Sequence, residues 1–135
     1  MTGNLDMKTE ITRLVQVTAL TGALWIPYVL NRVVVLGIAG TVGYPQAPKA
    51  LAPWAERLRA AHANAVENLV VFAALVLAAQ AAGFSTAVTV LACNLYLWSR
   101  LVHAVAYTLA IPWVRTLAFV GGFVAQMMFV WQLLS

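Results

Sequence analysis

The amino-acid sequence predicts an all-α integral membrane protein, a four-helix bundle of up-down topology. Three observations predict it. The 135 residues are 63% hydrophobic and only 9% charged, with a mean hydropathy of +0.87, whereas a soluble domain carries about 25% charged residues. Four apolar runs follow one another, each long enough for the ~20 residues that cross a ~30 Å hydrocarbon core. The links between them are short, which sets consecutive helices antiparallel. Backbone groups in lipid need internal partners, and these runs are too long and continuous for barrel strands, so they are helices. The whole chain, residues 1–135, reads as one domain.

The first helix is expected over about residues 11–39, with a kink at Pro27 inside it. The stretch 40–55, with Gly43, Pro45, Pro48 and Pro53, is the one substantial loop. The second helix is expected over about 58–82. Gly83 and Ser85 then make a tight turn, as C-cap and N-cap. The third helix runs over about 85–110. Pro112 suits the first turn of the fourth, 112–134. The N-terminal ten residues include Asp6, Lys8 and Glu10 and lack a basic n-region and a small-residue cleavage site. The first apolar run is therefore expected to stay in the mature protein. Cys93 is the single cysteine, which excludes an intrachain disulfide and a cysteine metal cluster. Net charge is +4, from 8 Lys+Arg against 4 Asp+Glu. Too few charges lie on soluble segments for nucleic-acid binding. Six of the eight basic residues (Arg32, Lys49, Arg57, Arg59, Arg100 and Arg115) lie nearer the first and third connections. The positive-inside rule puts those two loops in the cytoplasm and both termini outside.

Ionisable residues at membrane depth cost roughly +2.5 to +3.5 kcal/mol on insertion scales and mark functional sites by default. On the second helix Arg57, Asn64, Glu67 and Asn68 fall within about 100° of arc, while Arg59 and His62 take another sector. The bland reading of the asparagines is helix–helix hydrogen bonding. On the third helix Cys93, Tyr96, Arg100, His103 and Tyr107 recur at spacings of 3 and 4 and share one face. Arg100 lies ~15 Å from the helix end and needs an anionic partner, for which Glu67 is the expected choice. His62 and His103 without a carboxylate set do not make a metal site. On the fourth helix Arg115 begins a strip with Phe119, Gly122 and Gln126. It either snorkels to the headgroups or adds positive potential to the helix N-terminus, where an anion such as a thiolate is favoured. On the first helix Thr21, Trp25, Tyr28 and Arg32 share a face. Trp54 and Trp113 are placed to anchor the interface. Gly37, Gly40 and Gly43 permit close helix packing.

The segment Arg59-Ala-Ala-His-Ala-Asn-Ala-Val-Glu-Asn68 resembles the Arg-Ala-His-x-Asn-x-x-Glu signature of the MAPEG superfamily, the membrane-associated proteins in eicosanoid and glutathione metabolism. Arg100-x-x-His103-x-x-x-Tyr107, followed by Arg115-Thr116 after a proline-containing turn, extends the resemblance, and the bacterial branch looks closest. The resemblance implies a homotrimer in a bacterial inner membrane, a glutathione cofactor bound between subunits near the cytosolic face, and a lipophilic small-molecule substrate delivered from the lipid. Carried over by motif, Asn64 and Glu67 would hold the peptide, Arg100 and Tyr107 would contact it, with His103 on the same face, and Arg115 would be the catalytic thiolate stabiliser. Arg32 would contact a carboxylate. The family arginine before the motif histidine falls on Ala60 here; Arg59, one position earlier, and Arg57, which shares the face of Asn64, are the expected cofactor contacts in its place. Positions 116 and 119 are Thr and Phe, where some eukaryotic members have hydroxyl groups suited to their site.

The expected function is a membrane-embedded, glutathione-dependent transferase or peroxidase acting on lipophilic electrophiles. The alternative is a non-catalytic protein of the same fold that binds a lipid or small anion, with Glu67–Arg100 as a structural pair. A transporter is disfavoured by the short chain and the lack of a broken-helix pair.

Overall fold

The computed structural model describes residues 8–135; Asp6 and the rest of the N-terminal seven residues lie outside them. Among the described residues all regular structure is helical. There are five segments: α1 (Thr9–Ala23), α2 (Trp25–Val42), α3 (Pro53–Ala81), α4 (Ala87–Thr108) and α5 (Pro112–Leu134). Together they make four helices long and apolar enough to cross a membrane, because α1 and α2 form one run, Thr9–Val42.

That first run breaks at Leu24, whose N–H reaches back to Thr21 O at 3.4 Å. The break lies about one turn before Pro27, which has no N–H for the Ala23 carbonyl. A second departure falls at Gly37, with φ 71° and ψ 173°, a backbone region open to glycine alone. The expected single helix over 11–39 is therefore longer and twice interrupted. A straight helix of that length would span ~50 Å, well beyond the ~30 Å core.

The expected helix at 58 begins instead at Pro53, which serves as its first residue because its missing N–H would be unpaired there in any case. The loop is correspondingly shorter, and Asn31 Oδ1 pins it by accepting the Ala52 N–H at 3.0 Å. After α3, Gly83 takes φ 66°. Gly83 N–H bonds Gln80 O and Phe84 N–H bonds Ala79 O, the paired pattern of a Schellman stop. The N-cap of α4 is Thr86, not Ser85: Thr86 and Thr89 exchange side-chain and backbone bonds in a capping box. At the end of α4 the same stop recurs with Ala110 at φ 59°, where Ala110 N–H bonds Tyr107 O and Ile111 N–H bonds Ala106 O.

The core lies at mid-bundle. Phe72 stacks on Tyr96 with centroids 3.7 Å apart and meets Phe129 edge-on at 6.0 Å. Val17, Val76, Ala92, Cys93 and Ala125 close around them. Small residues set the helix spacing, but they are not those the sequence suggested. Gly37, Gly40 and Gly43 sit on or beside the exposed end of α2. The close approach is at Gly121, where a Cβ would fall 2.5 Å from Ser99 Oγ, whereas at Gly122 it would meet Arg100 Cδ at an ordinary 3.6 Å.

Candidate active site

The face of α4 predicted from spacing points inward. Cys93, Tyr96, Arg100 and His103 are buried and Tyr107 half-buried. Arg100 is 3% exposed, and its partner is not Glu67. Arg100 Nη2 donates to Asn64 Oδ1 at 2.7 Å and reaches His103 Nδ1 at 3.4 Å. Its Nε is buried without a partner. Glu67 is exposed on the outer side of α3. The physical reason is helical phase: Ala61, Ala65, Phe72, Val76 and Ala79 own the inward face, and Glu67 lies roughly 150° around from it. The asparagines flank that face and bond inward.

A relay supports Asn64. Asn68 Nδ2 donates to the Asn64 carbonyl at 2.9 Å, and Gln126 Nε2 donates to the Asn68 carbonyl at 3.2 Å. With its amide oxygen committed to Arg100, Asn64 has its amide nitrogen left to offer a ligand. Gln126 was visible in the sequence only as a polar member of the Arg115 strip.

Asn64, His103, Tyr107, Arg115, Thr116 and Phe119 line a cavity of about 240 Å³ at the end where α4 stops and α5 starts. The Arg115 guanidinium lies over the Tyr107 ring, 4.9 Å from its centroid, a cation–π contact. His103 meets Tyr107 edge-on at 5.6 Å. These groups come from three helices and meet because Ala110 turns the chain sharply between α4 and α5. Arg100 stands behind the cavity, holding Asn64 in its wall.

The other predicted residues stand outside it. Arg57 Nε donates to the Thr108 carbonyl at 2.9 Å, satisfying one orphan acceptor at the end of α4. Arg59 is exposed and Arg32 half-buried. His62 shares a 2.8 Å hydrogen bond with the Tyr28 hydroxyl, joining α2 to α3.

The pocket is thus polar, built from three apolar helices, and lined by residues of the two sequence motifs. The MAPEG family model matches residues 15–135. The chain belongs to the MAPEG family. No curated protein and no solved structure matched it. As a MAPEG protein with four membrane-spanning helices it is an integral membrane protein, and its pocket residues fall within the matched range.

A second polar cluster, absent from the sequence reading, lies at the far end of this MAPEG chain. Glu10, 6% exposed, accepts from Ser85 Oγ at 2.6 Å and Thr89 Oγ1 at 2.8 Å. Thr86 Oγ1 donates to Gln132 Oε1 at 2.9 Å. Arg13 Nε donates to Asn94 Oδ1 at 2.6 Å. The available signal was an acid in the first turn of an apolar run and a Thr-x-x-Thr box, with nothing in sequence to link them.

Proposed function

We propose that this MAPEG protein is a glutathione-dependent transferase or peroxidase acting on lipophilic electrophiles in the membrane. The cavity of about 240 Å³ carrying Arg115, Asn64, His103 and Tyr107 is the observation that carries this reading. Small-molecule pockets typically occupy ~300–1,000 Å³, so one chain offers part of a site for a tripeptide. The remainder comes across a subunit boundary in a homotrimer, to which the exposed Arg59 and Glu67 and the half-buried Arg32 would contribute. Loops one and three face the cytoplasm of a bacterial cell in this reading, and both termini lie outside.

The chemistry follows from the cations. A free thiol has a pKa of about 8.5, and the thiolate is the nucleophile. A guanidinium at hydrogen-bond distance favours the charged form. Arg115 holds the sulfur as thiolate; Asn64 and Tyr107 bind the peptide; Arg100 fixes Asn64. In transfer, the sulfur attacks an electrophilic carbon, a C–S bond forms, and the leaving group departs with the electron pair. In peroxidation, the sulfur attacks a hydroperoxide oxygen, the O–O bond breaks and an alcohol leaves. A second glutathione then reduces the sulfenic acid, giving disulfide and water. Lipid supplies the apolar partner by partitioning, so the site at the bilayer edge raises the effective concentration of both.

One contact favours a second reading. Arg115 rests on Tyr107, which satisfies part of its charge without a ligand. On that reading the protein is non-catalytic and the cavity holds a small anion or lipid group. Titration of glutathione into detergent-purified protein, read by ultraviolet thiolate absorbance, separates the two. Binding with a thiolate signal that disappears in Arg115→Ala supports the enzyme. No binding at millimolar glutathione transfers the reading to the non-catalytic protein.

A further inference from the structure

The break between α1 and α2 opens a groove unrelated to the polar cavity. Leu24 and Pro27 at the break, Leu58 on α3, and Leu101, Val105 and Thr108 on α4 line a cleft of about 320 Å³. Along α4 from Leu101 to Leu109 it extends ~12 Å toward the end of the bundle. Thr108 links this groove to a charge. Its carbonyl receives Arg57 Nε at 2.9 Å, while Arg57 Nη1 and Nη2 make no hydrogen bond among the described residues. Arg57 immediately precedes Leu58. A guanidinium is thus held by one nitrogen at the rim of an apolar cleft, with its other donors unspent. Its tether to a backbone carbonyl fixes the charge at the rim rather than leaving it to wander in the headgroup layer.

We propose that this groove is a binding site for one anionic phospholipid per chain, with an acyl chain in the cleft and the phosphate on Arg57. The complementarity is twofold: an apolar channel along α4, and at its rim a fork-shaped cation that suits a phosphate. Two or more acyl carbons in contact with Pro27 and Leu24 would fill the space that the helix break leaves empty.

The test is native mass spectrometry of the full-length protein released from nanodiscs containing phosphatidylglycerol and phosphatidylcholine in equal amounts. Wild-type protein is expected to retain phosphatidylglycerol preferentially. Arg57→Gln should lower that preference about tenfold, the worth of one charge-assisted hydrogen bond. Val105→Trp, from a half-exposed position that fills the cleft from the lipid side, should lower retention of both lipids with Arg57 intact. A photo-crosslinking residue at Leu109 should report a lipid adduct. Equal preference in wild type and Arg57→Gln overturns the proposal. So does a Leu109 crosslink to a second copy of the chain, which would assign the groove to a subunit interface. Glutathione binding is read on a separate cavity, so loss of either result leaves the other standing.

Discussion

The two ends of the bundle use the same materials to opposite effect. At the far end, Glu10 is buried and its carboxylate receives two hydroxyl donors, while Thr86, Gln132, Arg13 and Asn94 pair with one another. At the near end, Arg100 retains an unpartnered Nε, and Arg115 faces a cavity with a ring as its neighbour. Both ends tie three helices together through polar groups in an apolar chain. A saturated cluster rigidifies, because each buried group has exchanged water for a protein partner. An unsaturated, cationic one retains binding capacity for an anion. The far end therefore reads as a clamp, and the near end is where the proposed site lies.

Four substitutions test that contrast, alongside the lipid experiment. The largest effect is expected for Arg115→Ala, which should lower thiol-dependent turnover by about 10²- to 10³-fold, as does loss of a donor at a developing anion. Size-exclusion chromatography of the same variant should show assembly unchanged; unaltered turnover would remove Arg115 from the chemistry. Asn64→Leu should destabilise by ~2–3 kcal/mol, because the buried Arg100 loses its acceptor. Its denaturant midpoint in detergent should fall together with glutathione affinity, and a drop in affinity alone would mean that Arg100 finds water instead. Glu10→Ala should cost about 2 kcal/mol by stranding the Ser85 and Thr89 hydroxyls, while glutathione affinity stays at the wild-type value. A change in affinity there would show the two ends to be coupled. Ala110→Gly should raise stability by ~0.5–1 kcal/mol, since glycine adopts φ 59° without a Cβ penalty. A lower melting temperature in thermal unfolding would contradict that account of the turn.

Much of the near end was legible because helical spacing is a local property. Positions 93, 96, 100, 103 and 107 must share a face at 3.6 residues per turn, and the structure buries that face apart from a half-exposed Tyr107. Glu67 shows where such reasoning stops. It was placed on a strip with Asn64, and the strip exists, but the inward direction of α3 is set by which residues pack, not by which are polar. Phe72 and the alanines turn Glu67 out. The Glu10 clamp joins residues 75 and 79 positions apart, a separation on which periodicity is silent.

The class, the four membrane helices and the identity of the polar faces were legible from the residues alone, since hydropathy and helical phase follow from their order. The stops at Gly83 and before Pro112 were also written locally, in backbone freedom and a missing N–H. That Arg100 bonds Asn64, that the helix break falls at Leu24 with a groove beneath it, and that one polar end is closed while the other is open emerge only in the packed bundle. Those outcomes depend on how faces from different helices meet, and the close contact of Gly121 with Ser99 belongs to no single helix.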